Sequence, residues 1–128
     1  ASSAASDVYK RQELTCQHCG AVGINPDFIK KIDNLRDTLG FPFVISSAYR
    51  CPEHPIEMKK NSVGAHQRGR AVDIKVNGVR AIKLIQAGIA AGMQGIGVNQ
   101  KGDASTRFIH LDDLTNEEKS PRPWIWSY

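Results

Sequence analysis

At 128 residues the chain has the length of one domain. It is 41% hydrophobic and 23% charged, with 11 Gly and 6 Pro, a composition that excludes a disordered chain or a coiled coil and fits a turn-rich globular domain. A formal charge of +4 suits a polyanionic partner without naming one. No stretch comes near the roughly 18 consecutive apolar residues of a spanning helix, so membrane insertion is not expected.

Residues 1–12 are expected to form a flexible arm in front of a single domain at 13–128. Their opening, Ala1-Ser2-Ser3-Ala4-Ala5-Ser6, lacks the basic start and apolar run of a signal peptide as it stands. Thr15-Cys16-Gln17-His18-Cys19-Gly20 reads as a tight polar knuckle. Asn25-Pro26 predicts a helix start, with Asn25 as the cap and Pro26 in the first turn. Phe28, Ile29, Ile32, Leu35 and Leu39 then recur at helical spacing until Gly40 stops the helix and Pro42 forbids its return.

Phe43-Val44-Ile45 is a short apolar strand running into Ser46-Ser47-Ala48-Tyr49-Arg50. Residues 51–69 should be mostly loop, with a short helix near 56–60. Residues 71–76 alternate: Val72, Ile74 and Val76 point one way and Ala71, Asp73 and Lys75 the other, which predicts a half-buried strand. After the Asn77-Gly78 turn a second helix is expected to bury Val79, Ile82, Ile85 and Ile89 and to end at Gly92. Gly95-Ile96-Gly97-Val98 and Phe108-Ile109-His110-Leu111-Asp112 complete the strands, separated by a polar turn. Two helices and about four strands with long loops make an α+β domain.

Two of the four histidines stand in chemically loaded company. His66 lies in a Gly-containing loop, and seven residues on, Asp73 sits on the polar face of the alternating strand. A carboxylate buried there without a partner would cost several kcal/mol, which a cation would relieve. His110 interrupts an apolar strand, and the period of two places Asp112 on its face. Two His and one Asp, with water in the fourth position, is a donor set expected of catalytic zinc. The blander alternative pairs Asp73 with Arg70 or Lys75 and leaves His110 as a satisfied core histidine.

The segment Ser62-Val63-Gly64-Ala65-His66-Gln67-Arg68-Gly69-Arg70-Ala71-Val72-Asp73-Ile74, followed by Gly95-Ile96-Gly97-Val98 and Phe108-Ile109-His110-Leu111-Asp112, resembles the zinc D-Ala-D-Ala peptidases (peptidase family M15), in particular their small single-domain branch. Ser47-Ala48-Tyr49-Arg50 and Arg122-Pro123-Trp124 match further segments of that branch, so the resemblance runs from about Cys16 to Trp126. It implies a small antiparallel sheet with helices on one face, a fold shared with lysostaphin-type enzymes and the hedgehog signalling domain. It also implies one zinc ion on His66, Asp73 and His110, and hydrolysis of D-amino-acid-containing peptides of the bacterial wall by a carboxypeptidase or endopeptidase.

In such a reaction zinc lowers the pKa of its water from about 15.7 toward about 7. Arg50 is the candidate for holding the developing oxyanion or a substrate carboxylate. Several members of the wider family carry a Glu or Asp three residues before the last zinc histidine; here that position is Arg107, which cannot accept a proton. Asp112 and Asp103 are the carboxylates within reach, with Asp112 favoured because a strand fixes its direction; its alternative role is to orient a ligand. The departure at Arg107 keeps a non-catalytic peptidoglycan-binding module as the second reading.

Cys16, Cys19 and Cys51, with His18 or His54, offer ligands for a second, structural zinc; a disulfide with one spare thiol is the alternative. The basic residues are dispersed rather than clustered, so nucleic acid is not an expected partner. Trp124, Trp126 and Tyr128 are expected to pack the tail on the domain or to line a substrate groove. The expected molecule is a monomer of the cell envelope, secreted, or phage-encoded.

Overall fold

Asn25 opens the first helix, α1 (Pro26–Leu39): its side-chain oxygen accepts from the backbone N–H groups of Asp27 and Phe28, at 2.9 and 3.1 Å. These are two of the donors a helix start leaves without partners. Gly40 closes α1 in the left-handed conformation, φ 74°, its N–H donating to the Arg36 carbonyl. Phe28, Ile29, Ile32 and Leu35 form the buried stripe, as their spacing predicts, with Leu39 partly buried beside them. These elements come from a computed structural model that describes residues 14–20, 23–59, 64–117 and 120–128. The proposed arm at 1–12 lies outside the described residues.

The chain continues through β1 (Val44–Ser47), the one-turn helix α2 (Pro55–Met58), β2 (Ala71–Lys75), α3 (Gly78–Ala90), β3 (Gly95–Asn99), a 3-10 turn (Ala104–Thr106), β4 (Phe108–Asp112) and β5 (Trp124–Ser127). The strands form one sheet in the order β1-β2-β4-β3-β5. Its first four members run antiparallel to their neighbours, while β5 runs parallel to β3. The fifth strand is absent from the sequence reading. Its apolar signal is only Trp124-Ile125-Trp126, and it directly follows Pro121 and Pro123.

The two faces of the sheet carry different chemistry. Ile45, Val72, Ile74, Ile96, Ile109 and Leu111 join Phe28, Ile32, Leu35, Ala81 and Leu84 in one apolar core, so α1 and α3 cover that face. Here α3 departs from expectation. Val79, Ile82 and Ile89 are exposed, and the helix buries Ala81, Leu84 and Gly88 instead. Small residues win because the helix axis comes close to β4: a Cβ on Gly88 would stand 3.2 Å from Leu111 Cδ2. Strand β2 is also more deeply buried than the half-buried expectation, since only Lys75 of its five residues is exposed. Its second face is covered by the loops that build the site. No helix of the described residues is long and apolar enough to cross a membrane.

The cap on α1 gives a stability test. Asn25→Ala should lower the unfolding free energy by about 1 kcal/mol in urea titration, and Asn25→Gly by only a few tenths.

Candidate metal centre

On the face turned away from the helices the register lines up one row across the sheet: Ser47, Asp73, His110, Gly97 and Trp126 are successive cross-strand partners. Asp73 and His110 therefore stand side by side at the centre of the sheet. His66 arrives from the turn before β2. That turn is tied by Gly69 N–H to the His66 carbonyl at 3.1 Å and by Arg50 N–H to the same carbonyl at 3.2 Å. Gly69 has φ 71°, and its missing Cβ admits the Gly23 carbonyl, which lets its own carbonyl receive the Asn25 N–H at 2.7 Å.

His66 Nε2, Asp73 Oδ1 and His110 Nδ1 converge: 3.2 Å between His66 and Asp73, 3.0 Å between His110 and Asp73, and 3.2 Å between the two imidazoles. All three residues are buried. The outward ring nitrogens are both engaged by acceptors. His66 Nδ1–H donates to the Ala48 carbonyl at 2.6 Å, and His110 Nε2–H donates to Asp112 Oδ2 at 2.6 Å. With both rings neutral, the inward nitrogens would present lone pairs to each other and to a carboxylate, and a cation between them, a proton or a metal ion, would relieve that repulsion. A tetrahedral zinc with ligands at about 2.0–2.1 Å has ligand–ligand edges of about 3.3 Å. The donor set and its spacing fit that ion.

Asp112 is fully buried, and both its oxygens are occupied. Arg122 grips it with two parallel bonds, Nε to Oδ1 and Nη2 to Oδ2, each 2.9 Å. Burial would raise this carboxyl, but the His110 and Arg122 hydrogen bonds outweigh it and bring the group down to about 2. Asp73 also stays below the ordinary carboxylate range against its burial, through its bonds to His110 and His66. Burial pushes His66 down. In His110 burial acts the same way, but the bonds to Asp112 and Asp73 prevail and push it up.

The cluster lies in a cleft of about 1010 Å³, walled by Arg50, Ile56, Lys59, Phe108, Arg122, Trp126 and Tyr128. Arg50 sits between two acids, Nη2 at 3.7 Å from Asp73 Oδ2 and Nη1 at 3.4 Å from Glu57 Oε2. Trp126 packs against His110 in a tilted arrangement, ring centroids 5.0 Å apart with 53° between the planes, and Arg122 lies over its indole. Gly97 makes room for that indole: a Cβ there would be 2.8 Å from Trp126 Nε1 and 2.9 Å from His110 Cβ. Gly95 likewise leaves its space to the Asp112 carboxylate.

Asp103 is not gathered into the cleft. It is exposed, and its Oδ1 caps the 3-10 turn by accepting from the Ser105 N–H and hydroxyl at 2.9 and 2.8 Å. Arg107 folds back onto the Gly102 carbonyl. The bland pairing for Asp73 does not occur: Arg70 instead makes a two-bond ion pair with Asp113, at 2.8 and 2.7 Å. Away from the cleft, Cys16, Cys19 and Cys51 are free thiols whose sulfurs lie within 4.8 Å of one another. Burial would raise Cys16, but backbone N–H groups bring it down to about 7, whereas burial and its sulfur neighbours push Cys51 up to about 12.

A family model described as peptidase M15 matches residues 7–112. The chain belongs to the peptidase M15 family. Neither the curated proteins nor the solved structures contain a match. As a member of a zinc-dependent peptidase family, this M15 chain holds two groups of candidate ligands, His66/Asp73/His110 and Cys16/Cys19/Cys51. Sequence reasoning missed the Ala48 carbonyl and the grip of Arg122 on Asp112. The second had a signal: a carboxylate on the buried face beside His110 requires a cationic partner.

Removing that partner should be costly. Arg122→Gln leaves Asp112 a buried charge without its main counter-ion, and urea unfolding should register a loss of roughly 3–5 kcal/mol.

Proposed function

We propose that this M15 protein is a zinc metallopeptidase that hydrolyses D-Ala-containing peptides of the bacterial wall, with His66, Asp73 and His110 as the zinc ligands. The reading rests on the three buried ligand-type atoms, His66 Nε2, Asp73 Oδ1 and His110 Nδ1, that face one another at 3.0–3.2 Å. Zinc held by these residues would supply Lewis acidity, polarising a carbonyl and lowering the pKa of water toward about 7 so that it can lose a proton near neutral pH.

The protein's own groups divide the remaining work. The Ala48 carbonyl fixes the His66 tautomer, and Asp112 fixes that of His110, so each ring offers its lone pair inward. Asp112, buried and gripped by Arg122, acts as a positioning residue rather than as the proton acceptor. Arg50, on the cleft wall, binds the oxyanion or a substrate carboxylate. Lys59 and Arg122 add positive charge to the same wall, which suits peptides bearing free carboxylates, while Ile56, Phe108 and Trp126 offer apolar contact to small side chains and backbone.

Two measurements test this. Zinc content should fall from the cleft in His66→Ala and in Asp73→Ala, and purified wall peptides incubated with the wild type should show a released D-Ala or a cut cross-link by mass spectrometry. Unchanged zinc in both variants refutes the ligand set, and tight peptide binding without cleavage points to a peptidoglycan-binding module.

The carboxylates separate by substitution. Asp112→Asn should weaken zinc affinity about 10–100-fold, with activity falling in step, while Asp103→Asn should leave turnover within about twofold. Lost turnover at full zinc occupancy in Asp112→Asn would return the proton-acceptor role to Asp112, and lost turnover in Asp103→Asn would assign it there.

A further inference from the structure

The knuckle at residues 15–20 gathers chemistry that the peptidase reading leaves unused. Its turn is closed by the Gly20 N–H on the Cys16 carbonyl at 2.7 Å, with Gly20 at φ 74°. Cys16 and Cys51 are buried, Cys19 is exposed, and the three sulfurs lie within 4.8 Å of one another. The Cys51 backbone N–H donates to the Cys16 sulfur at 3.2 Å, tying the knuckle to the exit of β1. That bond favours a thiolate as the acceptor, since hydrogen bonds to a charged acceptor are about twice as strong as neutral ones. A disulfide sulfur carries no charge and gains little from it.

Three sulfurs around one point also exceed what a disulfide can use. A tetrahedral zinc with bonds of about 2.3 Å to sulfur and 2.0–2.1 Å to nitrogen has edges of about 3.8 Å between sulfurs and about 3.6 Å between sulfur and nitrogen. His18 Nδ1 stands 3.6 Å from Cys51 Sγ. The other nearby imidazole, His54, uses its Nδ1 to accept the Ile56 N–H at 3.2 Å at the start of α2.

We infer that Cys16, Cys19, Cys51 and His18 hold a second, structural zinc ion that clamps the knuckle to the exit of β1. That exit carries two parts of the cleft. The Ala48 carbonyl receives the His66 ring, and Arg50, the residue before Cys51, donates its backbone N–H to the His66 carbonyl. The clamp thus steadies the segment that orients His66 and presents Arg50. It does not depend on the peptidase reading, because its ligands and the cleft ligands are separate.

The test uses the full chain, purified with reductant, stripped by chelator and reloaded with cobalt(II). In a His66→Ala/Asp73→Ala double variant one cobalt per chain should remain, with intense thiolate-to-cobalt absorption in the near ultraviolet. Adding Cys19→Ser should abolish that band; Cys19 is exposed, and circular dichroism checks that the fold survives. The zinc content of the wild type should fall by one per chain in Cys19→Ser, whatever the cleft holds. His18→Ala should weaken the retained metal at least about tenfold. A folded, reduced double variant without the band overturns the site, as does a peptide map that finds two of the three cysteines joined in protein carrying one zinc. Loss of metal in His54→Ala but not in His18→Ala overturns the choice of His18.

Discussion

Two imidazole nitrogens and a carboxylate oxygen meet at 3.0–3.2 Å inside this domain, and holding them there is the constraint that the surrounding structure answers. Each ring is held in place by what its other nitrogen touches, a carbonyl for His66 and a carboxylate for His110. The second of these creates a new cost, a buried Asp112, which Arg122 offsets through two bonds from beyond the end of β4. A cluster of electron-rich atoms in the sheet is thereby converted into a chain of neutralised pairs that runs outward to the cleft wall.

The sheet makes this arrangement possible by separating its faces. Val72, Ile74, Ile109 and Leu111 belong to the apolar core beneath α1 and α3, while Asp73, His110 and Asp112 lie on the opposite face and build the site. Alternation along two adjacent strands is enough to sort them. At the end of β4 the consecutive acids take different partners, Arg122 for Asp112 and Arg70 with Lys31 for Asp113. Lys31 lies on α1, so the helical layer and the site are both anchored to one dipeptide.

Local patterns carried much of this. Asn25-Pro26 and Gly40 delimit α1, and the period of two through residues 71–76 and 108–112 places Asp73, His110 and Asp112 on faces that the register then joins. What escaped depends on distances across the fold. The apolar spacing of α3 points to Val79, Ile82 and Ile89, yet the close approach of Gly88 to Leu111 selects the small side of the helix. Strand β5 has too short an apolar run to announce itself, and its partner β3 is some thirty residues away in the chain. The loop carboxylate Asp103 looked available because nothing in its spacing reveals that Ser105 occupies it.

The side-chain-free stretch of β3 gives the cleft an uneven capacity for change. Where Gly95 and Gly97 face the site, the floor is bare backbone, already filled from above by Asp112 and by the Trp126 indole. Any side chain introduced there displaces a group that holds His110, so selectivity cannot be retuned from the floor. The rim formed by Ile56, Lys59 and Phe108 makes no such bond to the ligand set. Descendants of this scaffold that come to prefer other peptides should therefore vary at the rim and keep their two glycines.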